Sequence, residues 1–138
     1  MAARTDAYVD TSAFIAFLDA SDTFHALFRR LFADPPAVVV TSSLVIAEGH
    51  GWFLRRFDRV RALQFLAVID DMPFLDVRSV GAHELQGAAA MLRRFADQDL
   101  TLADAVGLHL LHDRAIASCW STDRHLGLTG VPLAIHTS

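Results

Sequence analysis

Asp10, Glu48, Asp104 and Asp123 are carboxylates placed at or inside otherwise apolar runs, in "YVDTSAFIAFL", "SSLVIAEGHGWFL", "DLTLADAVGLHLL" and "CWSTDRHLGL". Several carboxylates brought into one pocket repel one another, so either their pKa values rise or a cation binds among them. A set of oxygen ligands suits Mg²⁺ or Mn²⁺ better than Zn²⁺. An acidic pocket holding such ions is built for phosphoryl chemistry, because the ions activate water and stabilise the leaving oxygen. Arginines nearby would hold the remainder of a polyanion.

Each acid also has a purely structural reading. Asp10 follows Tyr8 and Val9 and could cap the next helix, although Ser12 could do so equally well. Asp123 repeats that arrangement after another apolar run. Thr101 and Asp104 have the spacing of a capping box, which favours a carboxylate in the first helical turn. Asp99 lies just ahead of that helix and could serve the same cluster. Glu48 shares a helical face with Leu44, Gly51 and Trp52, where a carboxylate needs either a partner such as Arg55 or a metal.

The elements that must position these residues alternate between short β-rich and longer helical runs. "AYVDT", "AVVVTS", "MPFLDV", "AIASCW" and "PLAIHT" read as strands, the three consecutive valines suggesting burial on both faces. "SAFIAFLDA", "DTFHALFRRLFAD", "SLVIAEGHGWFLRRF", "DRVRALQFLAVIDD", "SVGAHELQGAAAMLRRFAD" and "TLADAVGLHLLHDR" read as helices, with Pro35 and Pro36 ending the second and "DRHLGL" a short helix near the end. Strands separated by helices predict an α/β fold with a mainly parallel sheet. Ligands bind such sheets at the carboxyl ends of the strands, where Asp10 and Asp123 are expected.

The bulk properties fit that picture. The 138 residues suit one domain spanning 1–138, and 53% hydrophobic residues support a real core. No apolar run reaches the eighteen or so residues that span a bilayer, no signal-peptide h-region opens the chain, and the single Cys119 cannot form an internal disulfide. A soluble, cytoplasmic protein without membrane attachment is expected. The net charge of −4 disfavours a non-specific nucleic-acid coat. Every basic residue is arginine, grouped at Arg29–Arg30, Arg55–Arg61 and Arg93–Arg94, and the only glutamates are Glu48 and Glu84. Solvated helix faces account for most of these arginines.

The blocks "YVDTSAFIAFLDASDTFHA", "TSSLVIAEGHGWFLRR", "DLTLADAVGLHLLHD" and "STDRHLGL" together resemble a PIN domain of the VapC toxin-ribonuclease type, in the family's order and over nearly the whole chain. The resemblance implies a three-layer α/β/α sandwich and an endoribonuclease dependent on Mg²⁺ or Mn²⁺. It aligns Asp10, Glu48, Asp104 and Asp123 with the family's four acidic metal-site positions, and Ser12 with the hydroxyl that often follows the first acid. Asp99 and Thr101 align with polar positions beside the third acid. The implied roles are metal binding for Asp10, Asp104 and Asp123, metal binding or water orientation for Glu48, and a hydrogen bond to a carboxylate or phosphate for Ser12. An RNA substrate, a homodimer and an inhibitory antitoxin protein are implied as well.

Competing chemistries fit less well. Phosphatases of the haloacid-dehalogenase type and receiver domains use a lysine, which this chain lacks, and there is no Gly-rich phosphate loop. His109, His112 and Asp113 in "HLLHD" could bind a metal, but the spacing is not that of a zinc protease and favourable histidines at a helix end explain it. A non-catalytic RNA-binding or protein-interaction module on the same fold is the alternative function. Phe24, Leu27, Phe28 and Leu31 are expected either in the core or on a dimer face.

Overall fold

The computed structural model describes residues 6–137. Four strands, β1 (Asp6–Val9), β2 (Val38–Ser42), β3 (Leu75–Arg78) and β4 (Ser118–Trp120), form one sheet in the order β3-β2-β1-β4. All the pairings are parallel, with Tyr8 level with Val40 on one side and Cys119 on the other. Helices flank this sheet, giving the expected α/β/α arrangement: α1 (Thr11–Leu18), α2 (His25–Ala33), α3 (Ser43–Arg56), α4 (Arg59–Asp70), α5 (Ala82–Arg94), α6 (Leu102–Asp113) and the short α7 (Ala134–Thr137). No helix among the described residues is long and apolar enough to cross a membrane.

The strand order carries the functional consequence. The chain moves outward from β1 to β2 and β3, then returns to the opposite side of β1 for β4. The reversal leaves a switch point beside β1, where diverging connections open a crevice at the carboxyl edge of the sheet.

Apolar sequence becomes core on both sides of β1 and β2. Ala7, Tyr8, Val9, Val39 and Val40 are almost wholly buried, whereas Val38, at the entry to β2, is 49% exposed, so burial on both faces holds for only two of the three valines. Phe14 packs at 5.5 Å from Phe32 and 5.9 Å from Phe65, and Trp120 meets Phe32 edge-on at 5.0 Å, a geometry that aromatic quadrupoles favour. Leu27 and Phe28 are buried and Phe24 and Leu31 pack against the same cluster, which places all four in the core. On α6, Gly107 lets the helix approach the sheet. A Cβ there would lie 2.9 Å from Leu126 and 3.0 Å from Tyr8.

One expected strand does not form. "PLAIHT" contributes a single parallel bridge, Leu133 to Cys119, before the chain turns into α7. Its apolar residues are used to close the edge beside β4, with Leu133 and Ala134 buried, and this packing does not require a ladder.

Candidate metal centre

Asp10 follows β1 directly, and its N–H continues the ladder by donating to the Trp120 carbonyl at 3.0 Å. It occupies the N-cap position of α1, but its side chain makes no capping bond. Its Oδ2 instead accepts hydrogen bonds from Ser12 Oγ at 3.0 Å and Ser121 Oγ at 2.9 Å. Those hydroxyls in turn accept from the backbone, Ser12 from the Thr122 N–H and Ser121 from the Asp123 N–H, each at 2.9 Å. Each serine has one proton that it can give to Asp10, and the two hydroxyls also lie 3.1 Å from each other, so the carboxylate and both serines form one hydrogen-bonded network. With 4% of its surface exposed, Asp10 has its pKa pushed up to about 6 by burial, reinforced by the charge of Asp104 and opposed by the two serines.

The other acids reach the same crevice from different elements. Asp104 is the third residue of α6, in a reciprocal capping box with Thr101: the Asp104 N–H donates to Thr101 Oγ1 at 3.1 Å and Asp104 Oδ2 accepts the Thr101 N–H at 3.2 Å. The cap fixes the carboxylate without removing it from the crevice, because α6 leads into β4 and begins at the sheet's carboxyl edge. Burial, and then the charge of Asp123, hold the Asp104 carboxyl above its usual range. Asp123 does act as an N-cap, its Oδ1 accepting the His125 N–H at 2.9 Å and lying 3.1 Å from His125 Nδ1. Carboxylate oxygens of Asp104 and Asp123 and a ring nitrogen of His125 all lie within 4.8 Å of one another. Glu48 Oε1 accepts from Thr11 Oγ1 at 2.6 Å, and no ion pair to Arg55 forms.

These groups line a cleft of about 340 Å³ whose walls include Asp10, Ser12, Glu48, Thr101, Asp104 and Asp123. Trp52 and Arg55 extend the stripe of α3 that carries Glu48 along the same wall. Gly51 makes room for the Arg55 guanidinium, which lies 3.0 Å from where a Cβ would stand. Six of the seven residues singled out in the sequence thus meet, whereas Asp99 is exposed and does not line the cleft. Three participants were not singled out, Thr11, Ser121 and His125, of which Thr11 lines the cleft and bonds Glu48. Ser121 is fully buried beneath Asp10, and its only sequence signal is a hydroxyl directly after a strand and two residues before an acid. His125 is marked only by its place two residues after Asp123.

The arrangement fits a hard divalent cation. The buried Asp10 and Asp104 and the half-buried Asp123 and Glu48 repel through space, and ionising all of them without a counter-charge is costly. The donors are mainly oxygen, as Mg²⁺ and Mn²⁺ prefer.

The PIN domain family profile matches residues 7–126. Among curated proteins, the chain is 28% identical over 123 residues to the 23S rRNA-specific endonuclease VapC20 of Mycobacterium tuberculosis, covering 89% of this chain and 93% of that one. It is 30% identical over 108 residues to Ribonuclease VapC26 of the same organism, covering 77% of each. The crystal structure of M. tuberculosis VapC20, described as a sarcin-ricin loop cleaving toxin, superposes with a TM-score of 0.82 at 26% identity, covering 91% of this chain and 95% of that one. VapBC2 from Rickettsia felis, solved with a promoter DNA fragment, shares the fold with a TM-score of 0.62 at 13% identity, covering 93% and 96%.

Proposed function

The chain belongs to the PIN-domain family, and we propose that it is a single-domain, Mg²⁺- or Mn²⁺-dependent endoribonuclease acting as the toxin of a toxin–antitoxin pair. The observation that carries the proposal is the convergence of Asp10, Glu48, Asp104 and Asp123 on one cleft at the switch point of the sheet. Relatives named as ribonucleases, aligned along most of the chain, support the reaction class.

Asp10, Asp104 and Asp123 would hold the ion, with Glu48 as a fourth ligand or as the group that orients the attacking water. When bound, the ion supplies Lewis-acid stabilisation of the phosphate and lowers the pKa of water. The chain's own residues do the rest. Ser12 and Ser121 fix the rotamer of Asp10 and offset part of its burial cost, so that the carboxylate ionises near pH 6. His125 holds Asp123, and Thr11 holds Glu48. Arg55 stands where it can pair with a phosphate flanking the cleaved bond, and Trp52 offers a face on which a base can stack. A structured ribosomal RNA is the substrate class suggested by the relative specific for 23S rRNA. A cytoplasmic site of action, a homodimer and a partner antitoxin complete the proposal by family.

The test is cleavage of a mixed RNA pool containing 23S rRNA by purified protein with Mg²⁺ or Mn²⁺, with EDTA, and with Asp10→Asn. Metal-dependent cleavage that falls at least about a hundredfold in the variant is expected, a loss of roughly 3 kcal/mol of transition-state stabilisation. Cleavage unaffected by both EDTA and the substitution would refute the assignment.

A further inference from the structure

Away from the acidic cleft, α5 and α6 bring together a second group of metal-type side chains. His109 and Asp113 stand one turn apart on α6, and His83 faces them from α5. One ring nitrogen of each histidine and a carboxylate oxygen of Asp113 all lie within 4.8 Å of one another. The cluster shares no residue with the acidic cleft: Asp113 is nine residues beyond Asp104, about 13 Å along the helix axis.

We propose that His83, His109 and Asp113 form a binding site for a Zn²⁺-class divalent cation that staples α5 to α6. Independent observations point to a ligand there. His109 is only 9% exposed, yet its Nε2 is buried without a hydrogen-bond partner. Buried polar atoms are ordinarily satisfied, and leaving one unpaired is destabilising. Space is also reserved for the ring: a Cβ at Gly87 would collide with Nδ1, Cε1 and Cγ of His109, so only glycine lets α5 close over it. The two imidazoles have centroids 5.6 Å apart at 70°. Two imidazoles on one tetrahedral ion, with Zn–N lengths of about 2.0–2.1 Å, have ring centres roughly 5 Å apart. The small remaining closure falls to the side chains of His83 and Asp113, which are exposed and can take another staggered rotamer.

The donor set selects the metal. Two imidazole nitrogens and a carboxylate suit Zn²⁺ and its neighbours Co²⁺ and Ni²⁺, and suit Mg²⁺ poorly. Three protein ligands leave a coordination position open. His83 and Asp113 also line a polar cleft of about 440 Å³, together with Glu84 and Arg114. Glu84 is the other carboxylate at hand. Its Oε1 accepts the Gly81 N–H at 2.8 Å.

The test titrates EDTA-stripped full-length protein with Zn²⁺, followed by calorimetry and thermal melting, and with Co²⁺, followed by visible d–d absorption. His83→Ala and Asp113→Asn report on this cluster, and the double variant Asp104→Asn/His125→Ala reports on the acidic cleft. Expected is one tight equivalent that raises the melting temperature, persists in the acidic-cleft variant, and weakens at least about tenfold in His83→Ala and Asp113→Asn. His83→Ala is expected to retain Mg²⁺-dependent RNA cleavage. Zn²⁺ affinity unchanged in both His83→Ala and Asp113→Asn, no tight equivalent in the parent protein, or loss of binding in the acidic-cleft variant alone would each overturn the proposal.

Discussion

Replacing Asp10 with Asn will abolish metal binding at the acidic cleft and, in the absence of metal, make the protein more stable. In the folded chain the Asp10 carboxyl titrates at about 6, against 3.8 as its ordinary value. A raised folded pKa means that protonated Asp10 contributes stability. This contribution is complete below pH 3.8 and is lost as the pH rises through about 6. At about 1.4 kcal/mol per pKa unit, the gap between 3.8 and about 6 amounts to about 3 kcal/mol, with little solvent to screen it because Asp10 is 4% exposed. Asparagine carries no charge at any pH and keeps one oxygen to accept from Ser12 and Ser121. Part of the gain is offset by the new amide N–H₂, so a net gain of about 1–3 kcal/mol is expected at pH 8, or a melting temperature roughly 4–10 °C higher for a chain of this size. The assay is thermal melting in EDTA from pH 4 to pH 8, repeated with excess Mn²⁺. The parent protein should lose stability between pH 4 and pH 6 and recover it with Mn²⁺ by mass action, whereas Asp10→Asn should show a shallower pH dependence and little response to Mn²⁺. An Asp10→Asn variant less stable than the parent at pH 8 in EDTA, or one with an identical pH profile, would refute the reasoning.

Removing the hydroxyl beneath Asp10 with Ser121→Ala takes away one hydrogen bond to the carboxylate, so the acid limb of the cleavage–pH profile is expected to move to higher pH. An unmoved limb would separate Ser121 from the titration of Asp10. Trp52→Ala is expected to raise KM for RNA about fivefold to a hundredfold while changing kcat less, since one stacked base is worth about 1–3 kcal/mol; steady-state kinetics on a short cleavable RNA reads this directly. Gly107→Ala drives a methyl against Leu126 and Tyr8 and is expected to cost about 1–3 kcal/mol in urea unfolding, by prising α6 and its Asp104 from the sheet.

Much of the architecture was legible because local chemistry and tertiary packing agree. The prolines after α2, the Thr101–Asp104 capping box and the period-3.6 apolar faces end and start helices where the sequence predicts. The exception, "PLAIHT", is a short apolar run of the kind that periodicity cannot assign. Its burial beside β4 is satisfied by one bridge and a helical turn. Asp10 shows how a local rule can mislead at a site. Its N-cap position was readable, but its side chain leaves the cap unused and turns to Ser12 and to Ser121, which is 111 residues away.

The sequence by itself determined which carboxylates break the apolar pattern, and alternating strands and helices place Asp10 and Asp123 at strand ends. Only the tertiary structure decided that Ser121 lies under Asp10, that Asp99 stays outside, that Glu48 pairs with Thr11 and not with Arg55, and that His83 meets His109 and Asp113. The physical reason is the return of the chain across β1. Periodicity reports which face of an element is buried, but which side chains meet depends on the order and register in which those elements pack.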